Sequence, residues 1–160
     1  MPPAAVALQR SSNITSRNDL LLEGIMGAGQ RPERPMGILD HIDLRVRDRN
    51  AAVAFYDAFL GVLGAQKSET EAFTTWRLQA DVDDESTDSF GITEDPDMVA
   101  GSVRIAFKAP TREAVDAIAA ILRNVGASDI EMDDGMYGDD IYAVFFKDPD
   151  GNRLEVTVNE

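Results

Sequence analysis

The chain contains no cysteine, which excludes disulfides, thiolate nucleophiles, iron–sulfur clusters and cysteine-type zinc sites. It has a single histidine, His41, so any site that needs two is ruled out. Basic residues are scarce: 15 Lys and Arg against 29 Asp and Glu leave 15 − 29 = −14 at pH 7. A phosphate backbone would be repelled by that surface, and nucleic acid is not an expected partner. Long apolar runs are also missing. Stretches such as Ala117 to Leu122 and Tyr142 to Phe146 fall far short of the roughly 18 residues a spanning helix needs, so no membrane association is expected and a cytoplasmic location is. What the chain does have, 44% apolar and 28% charged residues over a length of 160, is enough for one domain with a packed core.

Composition changes along the chain. Residues 1–36 are rich in Pro, Ser, Asn, Arg and Gly, and their apolar patch, Leu20 to Leu22, is too short for a signal sequence; they read as a mobile N-terminal extension. From Ile38 the pattern becomes regular. Ile38, Ile42, Leu44 and Val46 fall on one side of an extended segment, with Leu39, His41, Asp43 and Arg45 on the other. Asp48 or Asn50 can cap a following helix, in which Val53, Phe55, Tyr56, Phe59, Leu60 and Leu63 recur at three-to-four spacing until Gly64. Shorter strands are expected at 65–70, 73–79 and 88–92, the last two separated by an acidic loop, Asp81 to Asp88.

The second half repeats this order. Val103, Ile105 and Phe107 alternate with Arg104, Ala106 and Lys108, Pro110-Thr111 opens a helix with an apolar stripe from Val115 to Val125, and Gly126 ends it. The offset between Gly64 and Gly126 is 126 − 64 = 62. Strands at 141–147 and 153–158 flank Asp148-Pro149-Asp150-Gly151, a tight-turn sequence. Two strand-helix-strand-strand-strand modules result, about 37–95 and 100–160, within one domain over 37–160. Each strand alternation leaves one apolar face for the helices and one polar face, and side-by-side modules would gather His41, Arg104 and Glu155 on a shared concave surface.

Asp40-His41-Ile42-Asp43-Leu44, Phe55-Tyr56, Leu63-Gly64, Arg104-Ile105-Ala106-Phe107, Asp148-Pro149-Asp150-Gly151-Asn152 and Leu154-Glu155-Val156 together resemble the vicinal oxygen chelate superfamily. That group holds glyoxalases, bleomycin-resistance proteins and extradiol dioxygenases. The resemblance spans residues 37 to 158 and implies an α+β fold: paired βαβββ modules in an open, cupped mixed sheet with helices on the convex side, commonly in a homodimer. It also implies small-molecule binding in the cup, with lyase, isomerase or dioxygenase chemistry in members that hold a metal.

Carried across residue by residue, the resemblance makes His41 and Glu155 metal ligands, and Glu155 is also the candidate catalytic residue. The third ligand position reads Arg104, whose guanidinium stays protonated and cannot ligate. Two readings stay open. One divalent metal (Zn, Ni, Mn, Fe or Mg) is held by His41 and Glu155, with Arg104 binding an anionic substrate group. Alternatively no metal is used, an Arg104–Glu155 pair takes its place, and the protein is a drug-sequestering binder whose charge of −14 favours cationic ligands. Metal-free acid–base catalysis by Glu155 is a third, less sharp reading. Tyr142, with Tyr137 and Trp76, is a candidate for lining the cavity, although strand aromatics more often belong to a core. Asp81, Asp83 and Glu85 lack the glycine and closing glutamate of a calcium loop, and the acidic run from Glu131 to Asp140 reads as a solvated connector.

Overall fold

A computed structural model describes residues 39–78, 88–133, 138 and 141–159. The expected extension over 1–36, Ile38, most of the acidic loop from Asp81, and Asp134, Tyr137, Asp139 and Asp140 lie outside the described residues. The first module runs β1 (His41–Val46), α1 (Arg49–Leu60), β2 (Gln66–Glu69), β3 (Phe73–Arg77) and β4 (Ser89–Glu94). The second runs β5 (Arg104–Lys108), α2 (Arg112–Leu122), β6 (Ser128–Met132), β7 (Ile141–Lys147) and β8 (Arg153–Asn159). Each module forms its own four-stranded mixed sheet, ordered β1-β4-β3-β2 and β5-β8-β7-β6, with a parallel pair (β1–β4, β5–β8) and antiparallel partners beyond it. The α+β class and the paired βαβββ modules are therefore as expected. The strands make two open sheets within the chain rather than one continuous one, because β1 and β5 each have a single hydrogen-bonded neighbour.

Local chemistry explains the elements. The Asp48 side chain accepts the Ala51 N–H at the start of α1, and Thr111 does the same for Ala114 at the start of α2. Both helices stop short of the expected glycine, at Leu60 and Leu122, and the chain then turns through Gly64 (φ +79°) and Gly126 (φ +92°), a left-handed conformation that glycine adopts without a Cβ clash. Alternation does not reveal strand β6. A register shift between Ser128 and Glu131, with Asp129 at φ +50°, breaks the two-residue period there.

The apolar faces of both sheets and both helices meet in one core. α1 packs on β3 and β4, α2 on β7 and β8, and the helices touch each other. Aromatic rings join the modules: Phe59 of α1 sits edge-on to Phe107 at 5.4 Å and to Phe146 at 5.5 Å, and Phe90 meets Phe107 at 5.2 Å. Trp76 belongs to this core, not to a cavity; it is 1% exposed and its indole N–H donates to Asp57 at 2.8 Å.

The turn before β8 is a second link. Buried Asp148 accepts the Tyr56 hydroxyl at 2.7 Å, the backbone N–H groups of Asp150 and Asn152, and the Asn152 side chain. Asn152 also donates to the Arg45 carbonyl, and Asp150 receives the Arg47 backbone N–H at 2.8 Å. The motif Asp148–Asn152 thus fastens the second module to the end of β1. Among the described residues no helix is long and apolar enough to cross a membrane.

Candidate functional site

With the core faces fixed, strand parity sends the remaining side chains to the opposite, outer faces. On the first sheet these are His41, Asp43 and Arg45 from β1, Ser89, Gly91 and Thr93 from β4, and Phe73 and Thr75 from β3. All of these but Arg45, together with Ile42, line a cleft of about 290 Å³. Its floor is Gly91, where an added Cβ would stand 3.2 Å from Thr75 Cγ2 and 3.7 Å from the Ile42 carbonyl oxygen. The lining is mainly apolar, with the hydroxyls of Thr75, Ser89 and Thr93 set into it. Asp43 is already engaged, by Arg45 at 2.6 Å and by the Thr93 hydroxyl at 2.8 Å, and His41 Nδ1 lies 2.7 Å from Asp40 at an exposed edge.

On the second sheet the outer face carries Arg104, Ala106 and Lys108 from β5, Arg153, Glu155 and Thr157 from β8, and Ala143, Phe145 and Lys147 from β7. Arg104 is held in two ways: its guanidinium carbon lies 4.5 Å from the centre of the Phe145 ring, and Nη1 is 3.8 Å from Glu155 Oε2. Glu155 is largely covered, with 17% of its side chain exposed against 40% for Arg104. Burial raises the Glu155 carboxyl above its ordinary range; Arg104 opposes that rise and Asp133 adds to it. An acid whose proton is held in this way can serve as a proton acceptor or donor nearer neutrality than a free glutamate.

The structure brings two of the four sequence-derived site residues together, Arg104 and Glu155. His41 is on the outer face of the other sheet, in a cleft lined by first-sheet residues alone. Periodicity reveals faces, not how two modules pack, and the packing here joins their apolar sides. Tyr142 departs from the expected position. It pairs in register with Val158 on the helix side of β7, and its hydroxyl donates to Asp116 of α2 at 2.7 Å. Phe145, opposite Glu155 in register, holds the place Tyr142 was expected to take. The apolar run Tyr142 to Phe146 has no alternation of its own, so only pairing with β8 could reveal its parity.

The metal implied by the resemblance can be tested on this donor set. Among the described residues no three His, Asp or Glu side chains cluster as a divalent ion requires, and the strand position expected to supply the third ligand presents a cation stacked on a ring. The described residues of one chain do not fit a metal.

No curated relative matches the chain with significance. Solved structures do. A glyoxalase/bleomycin resistance protein from Albidiferax ferrireducens is 26% identical, with a TM-score of 0.64 over 77% of this chain and 100% of that one. The genomically encoded fosfomycin resistance protein FosX from Listeria monocytogenes shares the fold at 19% identity, with a TM-score of 0.59 over 79% of this chain and 96% of its own. A glyoxalase/bleomycin resistance protein/dioxygenase family enzyme from Burkholderia phytofirmans does so at 19% identity, with a TM-score of 0.58 over 78% and 100%. The sequence profile that matches residues 38–156 spans both modules, and with it the shared topology places the chain in the Glyoxalase/Bleomycin resistance protein/Dioxygenase superfamily.

Proposed function

We propose that this protein is a small-molecule-binding member of its superfamily that works without a metal, using the outer faces of its two sheets. The observation that carries the reading is Arg104, stacked on Phe145 and paired with Glu155 at the strand position where the resemblance calls for a metal ligand. A fixed guanidinium there offers several donors in a planar fork, which suits a carboxylate or similar anionic group. The mainly apolar cleft of the first sheet, with Gly91 as its floor and the hydroxyls of Thr75, Ser89 and Thr93 at hand, suits the uncharged part of such a molecule.

A homodimer is part of this reading. β1 and β5 are the terminal strands of their sheets, and a site using His41 together with Arg104 and Glu155 would draw on a second copy to bring the two outer faces together. Sedimentation of the full chain measures this directly, with a dimer expected and a monomer at micromolar concentration contradicting it. The raised pKa of Glu155 supports acid–base catalysis as a second reading, which would appear as a pH–rate profile altered by Glu155→Gln.

The ligand test is thermal shift across a panel of small acids and aromatic compounds, run with and without EDTA. Binding that is unchanged by the chelator and weakened by Arg104→Gln is the expected result. Binding that disappears with EDTA would overturn the metal-free reading.

A further inference from the structure

One row of the second sheet's outer face is unusual for so acidic a chain. Arg104 on β5 pairs in register with Arg153 on β8, and Arg153 pairs in register with Lys147 on β7, so three cations stand side by side across three strands. Like charges directly opposite one another on a sheet are destabilising, and a net charge of −14 leaves ample acidic residues to separate them. The outer members are partly neutralised. Lys147 contacts Asp129 at 2.5 Å, and Arg104 reaches Glu155 only at 3.8 Å, longer than a charge-assisted hydrogen bond and leaving guanidinium donors to spare. The central member, Arg153, is exposed and makes no ion pair or hydrogen bond through its side chain among the described residues.

Arg153 also lines a groove of about 390 Å³ that runs from β8 past Ile105 to Leu44. Two carboxylates border that groove. Asp43 is engaged by Arg45 and Thr93, and Asp95 accepts the Asp97 backbone N–H at 3.1 Å, so both have partners of their own.

We infer that the row Arg104–Arg153–Lys147 binds the doubly charged oxyanion end of a small molecule, a phosphate monoester or a dicarboxylate, with Arg153 and Arg104 as the principal donors. This rests on the reading that the second sheet's outer face is a ligand surface, and it adds the ligand's chemical class. A dianion relieves the repulsion within the row and supplies the partner Arg153 lacks. The site is local: the field of the whole molecule favours cations, and the row is where that preference reverses.

The experiment is a calorimetric titration of the full chain with inorganic phosphate and, separately, malonate, at constant ionic strength with chloride as the control. Saturable binding of one of them is expected, the stronger of the two naming the anion class. Arg153→Gln should weaken it roughly tenfold or more, while Lys108→Gln, on the same face outside the row, leaves it unchanged. Without ligand, Arg153→Gln should melt at a higher temperature than the parent, because one of three adjacent cations is gone. No saturable binding of either anion, or equal binding by Arg153→Gln, would overturn the inference. Repeating the titration in EDTA separates the two ideas: anion binding that needs a metal and still depends on Arg153 sinks the metal-free reading alone.

Discussion

The two sheets have the same strand order and the same parallel and antiparallel pairings, yet their outer faces do different chemistry. The first presents a mainly apolar cleft with three hydroxyls around a glycine floor, and its one aspartate is already paired. The second presents a stacked arginine, a covered glutamate and a row of cations. On the inner side the modules also differ, the first aromatic (Phe55, Tyr56, Phe59, Trp76, Phe90) and the second mostly aliphatic (Val115, Ile118, Leu122, Leu154, Val156), but there the difference is one of shape, since both fill the same core. A repeated scaffold constrains what faces the core and leaves the other face free to diverge. That freedom is where function is read in this chain.

The largest expected effect comes from breaking what the modules share. Phe59 is fully buried between them, and Phe59→Ala should destabilise the fold by about 3–5 kcal/mol while urea unfolding remains a single transition. Two separated transitions would mean that the modules are independent and the shared core is not.

A smaller and sharper contrast is between two tyrosine–aspartate hydrogen bonds of equal length, 2.7 Å. Tyr56–Asp148 is buried and joins the modules, whereas Tyr142–Asp116 is exposed and lies within one. Removing a hydrogen bond to a buried charge is far costlier than removing one that water can replace. Tyr56→Phe should cost about 2 kcal/mol and Tyr142→Phe less than about 1 kcal/mol, read from chemical denaturation. Equal losses would show that burial is not what distinguishes them. Burial, followed by the charge of Asp148, also holds the Tyr56 hydroxyl well above its ordinary range, so its ionisation in alkali should await unfolding.

The smallest effect concerns the outer face. Because burial raises the Glu155 carboxyl above its ordinary 4.5, the folded chain holds that proton more tightly than the unfolded chain does. Its contribution to stability is full below pH 4.5 and is lost as pH rises through the folded value. Glu155→Gln should therefore gain on the parent between pH 4 and pH 7 in urea midpoints. A variant that loses ground over that range would make the attraction to Arg104 stronger than the effect of burial.

Most of the fold was legible because period-two alternation and the cap residues Asp48 and Thr111 are local signals. Where the backbone departs from regularity, as in the bulged strand β6, the signal vanished. The site was legible in part. Arg104 and Glu155 lie on adjacent parallel strands and their parity is enough to join them, whereas the separation of His41 depends on how Phe59, Phe107 and Phe146 pack. The face that Tyr142 takes is not legible because its own strand is apolar on both sides, and the meaning of Arg153 lies in its register with Arg104 and Lys147, which the sequence alone does not display.

The most direct test of the central claim is the metal content of the protein purified without tag or chelator, paired with thermal shift against added divalent metals. The arginine-for-ligand geometry predicts no stoichiometric metal and no shift. Near-stoichiometric metal that disappears in Glu155→Ala would contradict it.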